Sequence, residues 1–348
     1  MSVTIKDIAK EAGVSIGAVS KALNDRGGTS LVLKRKIEKI ARRMGYFPYI
    51  KSRQTGMFAG ASKSIGIIFS FAGEYLSKEI QKGIDNVLSD SGFYQIRYAI
   101  NVSGQYTDEV RKESFIDKVI QDRSLAGLLA VFMGVSDRTV ARLHKSGIPV
   151  VQLNNFSSYG KCVTTDNEES AYRATRALIK QGRRKIGLVM PGEIHEAVWE
   201  LRLAGYKKAL IEARLPYDPY LIEDEHSFDL KESALATKTL LEREPKIDAI
   251  LFGSDTQAYG GMEALKSLNR RIPDDVAVIG FDDLPFSAIT DPPLSSVNQP
   301  MFEMGKKASE MLLEAIRNKD FSYKSVVLKS KLVLRQSSNK NLPKERII

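Results

Sequence analysis

The stretch Val3-Thr4-Ile5-Lys6-Asp7-Ile8-Ala9-Lys10-Glu11-Ala12-Gly13-Val14-Ser15 decides how this 348-residue chain is read. Ile5, Ile8, Ala9 and Ala12 recur at i, i+3, i+4 and i+7, which is one apolar face of a helix. Thr4 stands where a cap is needed, and Gly13 stands where the helix should stop. Ser15 then caps a second helix, with Val19, Ala22 and Leu23 turned inward and Ile16, Gly17, Ser20, Lys21 and Asn24 on the opposite face. Gly27-Gly28 breaks the chain, and Ser30 opens a third helix with Leu33, Ile37, Ile40, Ala41 and Met44 on one side. Gly45 ends it and Pro48 prevents quick resumption. Two helices joined by a tight glycine-containing turn, plus a third that completes a small core, form a helix-turn-helix module whose second helix can enter the major groove.

Charge is concentrated on the same segment. The chain has 52 Lys and Arg against 42 Asp and Glu, a net +10. Residues 1–62 hold twelve of those bases and four of the acids, a net +8, which leaves +2 for the other 286 residues. A basic module joined to a near-neutral body suits a polyanion partner. Charge alone leaves a solvated basic face as the equal alternative.

Composition bounds the rest. A length of 348 residues suggests about two domains, and 43% apolar residues supply an ample core. No apolar run approaches a membrane span, and the N-terminus lacks the apolar core of a secretory signal. The single cysteine, Cys162, excludes an intrachain disulfide framework and a multi-cysteine zinc site. These features point to the cytoplasm. His144, His195 and His226 have no metal-ligand spacing, and no G-x-S-x-G elbow or G-x-x-x-x-G-K loop occurs, so neither an enzyme nor a cofactor or metal is expected. Cys162 sits in a strand-like run where a buried thiol is commoner than a nucleophile.

The headpiece resembles that of the lac repressor family (LacI/GalR type). The resemblance rests on Val3 to Ser15, then Ala18-Val19-Ser20-Lys21, Leu23-Asn24, Met44-Gly45-Tyr46 and Pro48. It implies base contacts from Ile16, Gly17 and Lys21. Lys21 stands where the family usually has Arg, a better bidentate reader of guanine. Gly17 has no side chain, so any reading there falls to apolar contact by its neighbours. The natural phosphate contacts are Ser15, Ser20, Asn24 and the helix amide ends, with simple solvation as the alternative for Ser20 and Asn24. Thr4 and Tyr46 complete the DNA-binding set. The linker after Pro48 departs from the family's short hinge helix with its minor-groove leucine. Counting from Pro48 puts Thr55 at the leucine position, whereas counting back from Ile65 puts Met57 there, because this linker is two residues longer. Met57 or Phe58 can serve as the apolar wedge. Gly56 and Gly60, each costing a helix about 1 kcal/mol, suit a merely flexible linker equally well.

Beyond the linker, short apolar runs alternate with helical patterns. Expected strands are Ile65–Ser70, Tyr94–Ala99, Ala126–Phe132, Ile148–Leu153, Lys185–Met190, Ala249–Phe252 and Val276–Gly280. Between them lie Leu76–Leu88, Glu109–Ile120, Asp137–Lys145, Glu168–Gln181, Glu196–Ala213, Glu232–Leu241, Thr256–Ser267 and Phe302–Arg317. This alternation predicts two doubly wound parallel sheets with helices on both faces and a ligand cleft at the carboxyl ends of the strands. The resemblance extends through this body, in Ile65-Gly66-Ile67-Ile68, Asp166-Asn167, Arg202-Leu203-Ala204-Gly205-Tyr206, Ser254-Asp255, the run from Ile272 to Asp283, the run from Pro292 to Pro300, and Leu332 to Ser338. It implies an α/β effector domain with the fold of periplasmic sugar-binding proteins, crossing between subdomains near residues 164, 291 and 325. The domains expected are therefore an all-α headpiece at 1–48, a linker at 49–62 and an effector-binding and dimerisation domain at 63–340. Subdomain 1 would take about 63–164 and 292–325, subdomain 2 about 165–291 and 326–340, with a tail at 341–348. The end from Asn339 to Ile348 is too short for a heptad zipper.

Polyol ligands need planar charged groups that hold adjacent hydroxyls, plus an aromatic platform. By position in the resemblance, Arg202 and Asp282 are the charged pair, with a structural ion pair across the cleft as the alternative. Phe228 matches the platform, and Ser254 lies where the family often has Asn. Phe71, Ala72, Gly73 and Tyr75 follow the first strand, and Asn154 replaces an acid. For Phe228 and Tyr75, packing and contact stand level. Asp166 orients neighbours, and Trp199, one turn before Arg202, is core or cleft wall. The resemblance implies a homodimeric, sequence-specific DNA-binding transcriptional regulator, a repressor, reading a near-palindromic operator under a sugar-like effector. The alternative is a transport-type sugar-binding protein, which would share the body but need an export signal and no basic headpiece.

Overall fold

Helix α1, Ile5–Ala12, begins on a reciprocal cap: the Thr4 N–H donates to Asp7 Oδ2 at 2.8 Å and the Asp7 N–H donates to Thr4 Oγ1 at 3.4 Å. The cap holds the Asp7 carboxyl below its ordinary range. Gly13 ends the helix at φ 69. In α2, Ile16–Leu23, the Ala18 N–H donates to Ser15 Oγ at 3.2 Å. Residues 33–34, 36–37 and 40–41 are helical, and the Leu33 N–H donates to Ser30 Oγ at 3.3 Å. Ile8, Ala9, Ala12, Val19, Ala22, Ile37 and Ala41 close one small core. Lys36 Nζ donates to the Ala12 carbonyl at 3.2 Å, putting a cation at the negative end of α1. The computed structural model describes residues 4–23, 30, 33–34, 36–37, 40–41, 44, 64–69, 74–99, 115–120, 125–132, 134–154, 161–190, 197–224, 229–319, 324–342 and 346–347. The linker expected at 49–62, with Thr55, Met57 and Phe58, lies outside the described residues. The chain divides into two units, Met1–Ser62 with Asp117–Ser124, and Lys63–Ile116 with Leu125–Ile348.

The second unit contains two sheets. The first runs β11-β5-β4-β3-β1-β2, from strands β1 (Ser64–Phe69), β2 (Tyr94–Ala99), β3 (Gly127–Val131), β4 (Val150–Leu153), β5 (Cys162–Thr165) and β11 (Val326–Leu328). Its pairings are parallel, with Ile65 beside Gly127 and Leu128 beside Val150. The near-continuous apolar strands follow from burial on both faces. Ile65, Ile67, Leu129, Val131, Val151, Leu153 and Val163 pack under α3 (Glu74–Leu88) and α9 (Met301–Asn318). Those two helices meet backbone to backbone: a Cβ on Gly83 would lie 2.0 Å from the Phe302 carbonyl oxygen, and one on Gly305 would lie 2.1 Å from that of Ile80. Helix α4, Asp137–Lys145, lies between β3 and β4 in the chain.

The second sheet runs β13-β12-β10-β9-β8-β6-β7, from β6 (Ile186–Met190), β7 (Ile222–Asp224), β8 (Ala249–Phe252), β9 (Ala277–Asp282), β10 (Ser295–Asn298), β12 (Lys331–Leu334) and β13 (Arg346–Ile347). It is parallel except for the antiparallel pairs β10–β12 and β12–β13. One face packs on α5 (Asn167–Lys180) and α6 (Ala197–Glu212), the other on α7 (Leu230–Arg243) and α8 (Asp255–Ser267). The expected architecture of a helical headpiece and two doubly wound sheets is therefore the one observed.

Several details differ from the sequence reading. The helix expected over Glu109–Ile120 is helical at 115–120, and its earlier part lies outside the described residues. Among the described residues there are thirteen strands, not seven. Those missed are short or polar. β10 reads SSVN yet is buried, because Ser295 Oγ donates to the Arg335 carbonyl and Ser296 Oγ to Asp255. Strand β9 runs two residues beyond its expected end, to Asp282. The chain passes from β10 in the second sheet to α9 on the first through Gln299-Pro300, not near 291, and from β11 back to β12 through Lys329-Ser330, not near 325. Pairing decides this: β10 joins β9, and β11 joins β5. Asp166 ties two crossings together. It accepts the Ser330 N–H at 2.8 Å and Ser170 Oγ at 2.9 Å, and Arg173 reaches it at 3.2 Å.

Candidate functional site

Helix α2 turns Ile16, Gly17 and Lys21 to solvent while Val19 and Ala22 are buried, so the outward face carries the side chains expected to meet bases. Ser15 and Thr4 are exposed and Ser20 is half-buried. Ile16 is 49% exposed, high for a large apolar side chain on a helix of eight residues. Among the described residues an added Cβ on Gly17 would come no nearer than 3.9 Å to a neighbour, Ser15 Oγ, so none of them requires a glycine there. Asn24, Tyr46 and Met57 lie outside the described residues.

In the body, the expected charged pair stands at the carboxyl ends of strands in the second sheet. Arg202, on α6, is 5% exposed. Its Nε donates to Asn167 Oδ1 at 2.9 Å and its Nη1 to the Gly253 carbonyl at 2.7 Å. The guanidinium lies 3.7 Å from the Phe281 ring centroid and 4.6 Å from that of Trp199. Two aromatic faces and two hydrogen bonds thus fix its plane. Asp282 ends β9 beside that floor, 9% exposed, and Gln299 Nε2 donates to its Oδ1 at 2.6 Å. Burial pushes the Asp282 carboxyl up to about 7, against the pull of the Arg202 charge and the Gln299 hydrogen bond. Arg202 and Asp282 both rise from the second subdomain, so they form no ion pair across the cleft.

The turn that presents Asp282 is strained. Asp282 has φ 109 and Asp283 φ 52, conformations that cost a non-glycine residue about 1–3 kcal/mol each. The surroundings hold it: the Asp283 N–H donates to Ser296 Oγ at 3.0 Å, and the Leu284 N–H donates to Asp255 Oδ2 at 2.7 Å. The Asp283 carboxylate pairs with buried Arg335 at 2.7 Å and accepts from Asn298 Nδ2 at 3.1 Å. Asp255 is wholly buried and accepts from Ser287 Oγ and Ser296 Oγ, each at 2.5 Å. Burial first, then the Asp282 charge, raises its carboxyl well above the ordinary range.

Other expected residues divide by role. Ser254 caps α8, its Oγ accepting the Gln257 N–H at 3.1 Å. Asn154 follows β4 with φ 51 and is 7% exposed; its N–H donates to the Val163 carbonyl, and its Oδ1 has no hydrogen-bond partner among the described residues. Tyr75, on α3, is exposed at the edge of the first subdomain, and its hydroxyl is raised by partial burial and by charges that include Asp283 of the second. Trp199 belongs to the second-sheet core and carries Arg202 on its face, so it is core and cleft wall together. Phe71, Ala72, Gly73 and Phe228 lie outside the described residues. Sequence reasoning missed Asn167 and Gln299 as partners of the charged pair; their signal was their place beside Asp166 and Pro300 within the quoted motifs.

Comparison with known proteins agrees with this geometry. Residues 4–49 match the model of bacterial regulatory proteins of the lacI family, and residues 175–338 match a periplasmic binding protein-like domain. The ribose operon repressor of Haemophilus influenzae is 30% identical over 337 residues, covering 96% of this chain and 98% of its own. Catabolite control protein A of Priestia megaterium is 29% identical over 342 residues, covering 97% and 100%. Among solved structures, the transcriptional regulator CelR in complex with cellobiose superposes with TM-score 0.72 at 26% identity, covering 96% of this chain and 99% of that one. A helix-turn-helix module with a two-sheet binding domain defines a DNA-binding transcriptional regulator rather than an enzyme or a transport protein. The chain belongs to the lacI family of bacterial regulatory proteins. No helix among the described residues is long and apolar enough to cross a membrane.

Proposed function

We propose that this regulator is a cytoplasmic homodimeric repressor. Its headpiece (1–48) and linker (49–62) bind a near-palindromic operator, and its body (63–340) binds a sugar or sugar derivative between the two subdomains. The observation that carries the effector reading is the Arg202–Asp282 pair beside its aromatic floor, with Asp282 presented by a strained turn at the end of β9. A planar cation beside a carboxyl is suited to adjacent hydroxyls. Asn154, with its buried acceptor, and Tyr75 supply the first subdomain's side, and Phe71, Ala72, Gly73, Phe228 and Ser254 complete the effector set. Thr4, Ser15, Ser20, Asn24 and Tyr46 hold the DNA backbone, Ile16, Gly17 and Lys21 face bases, and Met57 meets the minor groove. Phe286, 57% exposed and edge-on to Tyr259, and Ile289, 72% exposed, are apolar side chains suited to a homodimer contact. The cellobiose in the CelR complex and the ribose operon for which the Haemophilus influenzae repressor is named support the choice of sugars as first probes.

The test is a thermal-shift screen of the full-length protein with D-ribose, cellobiose, other sugars and sugar phosphates. Binding to genomic fragments is then titrated with and without each hit. A ligand that changes operator affinity by about 5- to 150-fold is expected. Equal affinity with and without every stabilising ligand refutes the switch.

A further inference from the structure

The two charged effector residues are joined to each other by a continuous run of hydrogen bonds through two crossings between the subdomains. Arg202 Nε donates to Asn167 Oδ1 at 2.9 Å, and Asn167 Nδ2 donates to the Thr165 carbonyl at 3.2 Å. Thr165 Oγ1 donates to Gln299 Oε1 at 3.1 Å, and Gln299 Nε2 donates to Asp282 Oδ1 at 2.6 Å. All five residues are buried. Arg202 only donates, so Asn167 must turn its oxygen to it, and the Asp282 carboxylate, the form that prevails above about pH 7, only accepts, so Gln299 turns its nitrogen to it. Every bond points the same way, from the cation to the acid; the Asn167 and Gln299 amides each pass polarisation from the bond they accept to the bond they donate, and Thr165 joins the two halves through its backbone. Thr165 ends β5 in the first sheet, Asn167 opens α5 on the second, and Gln299 lies between β10 and α9. The run thus passes through the segments about which the two sheets are connected.

We propose that Thr165, Asn167 and Gln299 are positioning residues, a buried relay that sets Arg202 and Asp282 for the effector and links the state of the cleft to the first and second crossings. The proposal rests on the assignment of Arg202 and Asp282 to the effector. A ligand that takes hydrogen bonds from either residue changes an end of the relay, and the change reaches both crossings without any contact between ligand and hinge. Asp282 also faces Arg202 from α6 and Asp255 and Tyr259 from α8, and it adjoins Asp283, which is paired with Arg335. None of those groups is altered by a change at Thr165.

Trp199, the single tryptophan, stacks on Arg202 and reports the relay by its fluorescence. The experiment titrates the full-length protein from about pH 5 to pH 9, with Asp282→Asn to identify the Asp282 step. Gln299→Met keeps the volume and removes both bonds, and it is expected to move that step up by about one pH unit, since a hydrogen bond favouring the carboxylate is lost. Thr165→Val is nearly isosteric and touches neither charged side chain, and it is expected to move the step in the same direction by about 0.3 pH unit through weakened polarisation. A Thr165→Val midpoint equal to wild type overturns the relay, as does a wild-type profile with no step that Asp282→Asn removes. Unfolding midpoints of each variant separate misfolding from a shifted titration, and Asn167→Asp, which keeps the acceptor to Arg202, replaces any variant that fails to fold. Its step is expected above that of wild type, and an unmoved step overturns the proposal. The titration uses neither operator nor effector, so its failure and a failure of the sugar reading are told apart.

Discussion

Replacing Asp282 by Asn should flatten the dependence of stability on pH. In the fold the Asp282 carboxyl titrates at about 7, whereas its ordinary value is 3.8. Between these values the folded chain keeps a proton that the unfolded chain releases, so protonation stabilises the fold. That contribution is fully present below about pH 4 and is lost as pH rises through about 7. Linkage gives roughly 2.6 kcal/mol at pH 5 and almost nothing at pH 8. Asp255 shifts in the same direction, partly through the Asp282 charge, so Asp282→Asn also lessens the Asp255 contribution and the difference between the two proteins belongs to this coupled pair. Asn is neutral throughout, and its carbonyl still accepts from Gln299, so it imitates the protonated acid. Urea unfolding at about pH 5 and pH 8 checks the point. The wild-type free energy should fall by about 2–3 kcal/mol more than that of Asp282→Asn. Parallel profiles would refute the argument that burial, rather than the Arg202 charge, governs this carboxyl.

Lys21→Ala should cost about 1–3 kcal/mol at one base-pair position, measured by competition among operators altered singly; a uniform loss at all positions would mark a phosphate contact instead. Gly305→Ala sets two effects against each other. Helix propensity gains about 1 kcal/mol, but a methyl 2.1 Å from the Ile80 carbonyl oxygen must push α9 off α3, and such overpacking costs about 1–3 kcal/mol. Clash with backbone cannot be relieved by a rotamer change, so we expect a lower unfolding midpoint; an unchanged or raised one counts against the close approach. Ile289→Asp should lower the dimer fraction in light scattering while leaving the circular dichroism spectrum intact, and an unaltered dimer would place the interface elsewhere.

Local periodicity and capping are legible along the chain without any coordinates. Thr4, Gly13 and Ser15 mark the turn of the headpiece because capping acts within four residues. The alternation of apolar runs and amphipathic helices settles the doubly wound body, and the resemblance to the lac repressor family, carried over by position, singles out Arg202 and Asp282. Tertiary structure alone decided the rest. β10 is a strand because distant Asp255 and Arg335 satisfy its serines, and its pairing with β9 moves a crossing eight residues along the chain. Thr165 and Gln299 are 134 residues apart and become partners only when β5 and β10 end beside one another. A hydrogen bond between such residues leaves no periodic trace, since its geometry is set by the packing of two sheets rather than by the chain around either residue.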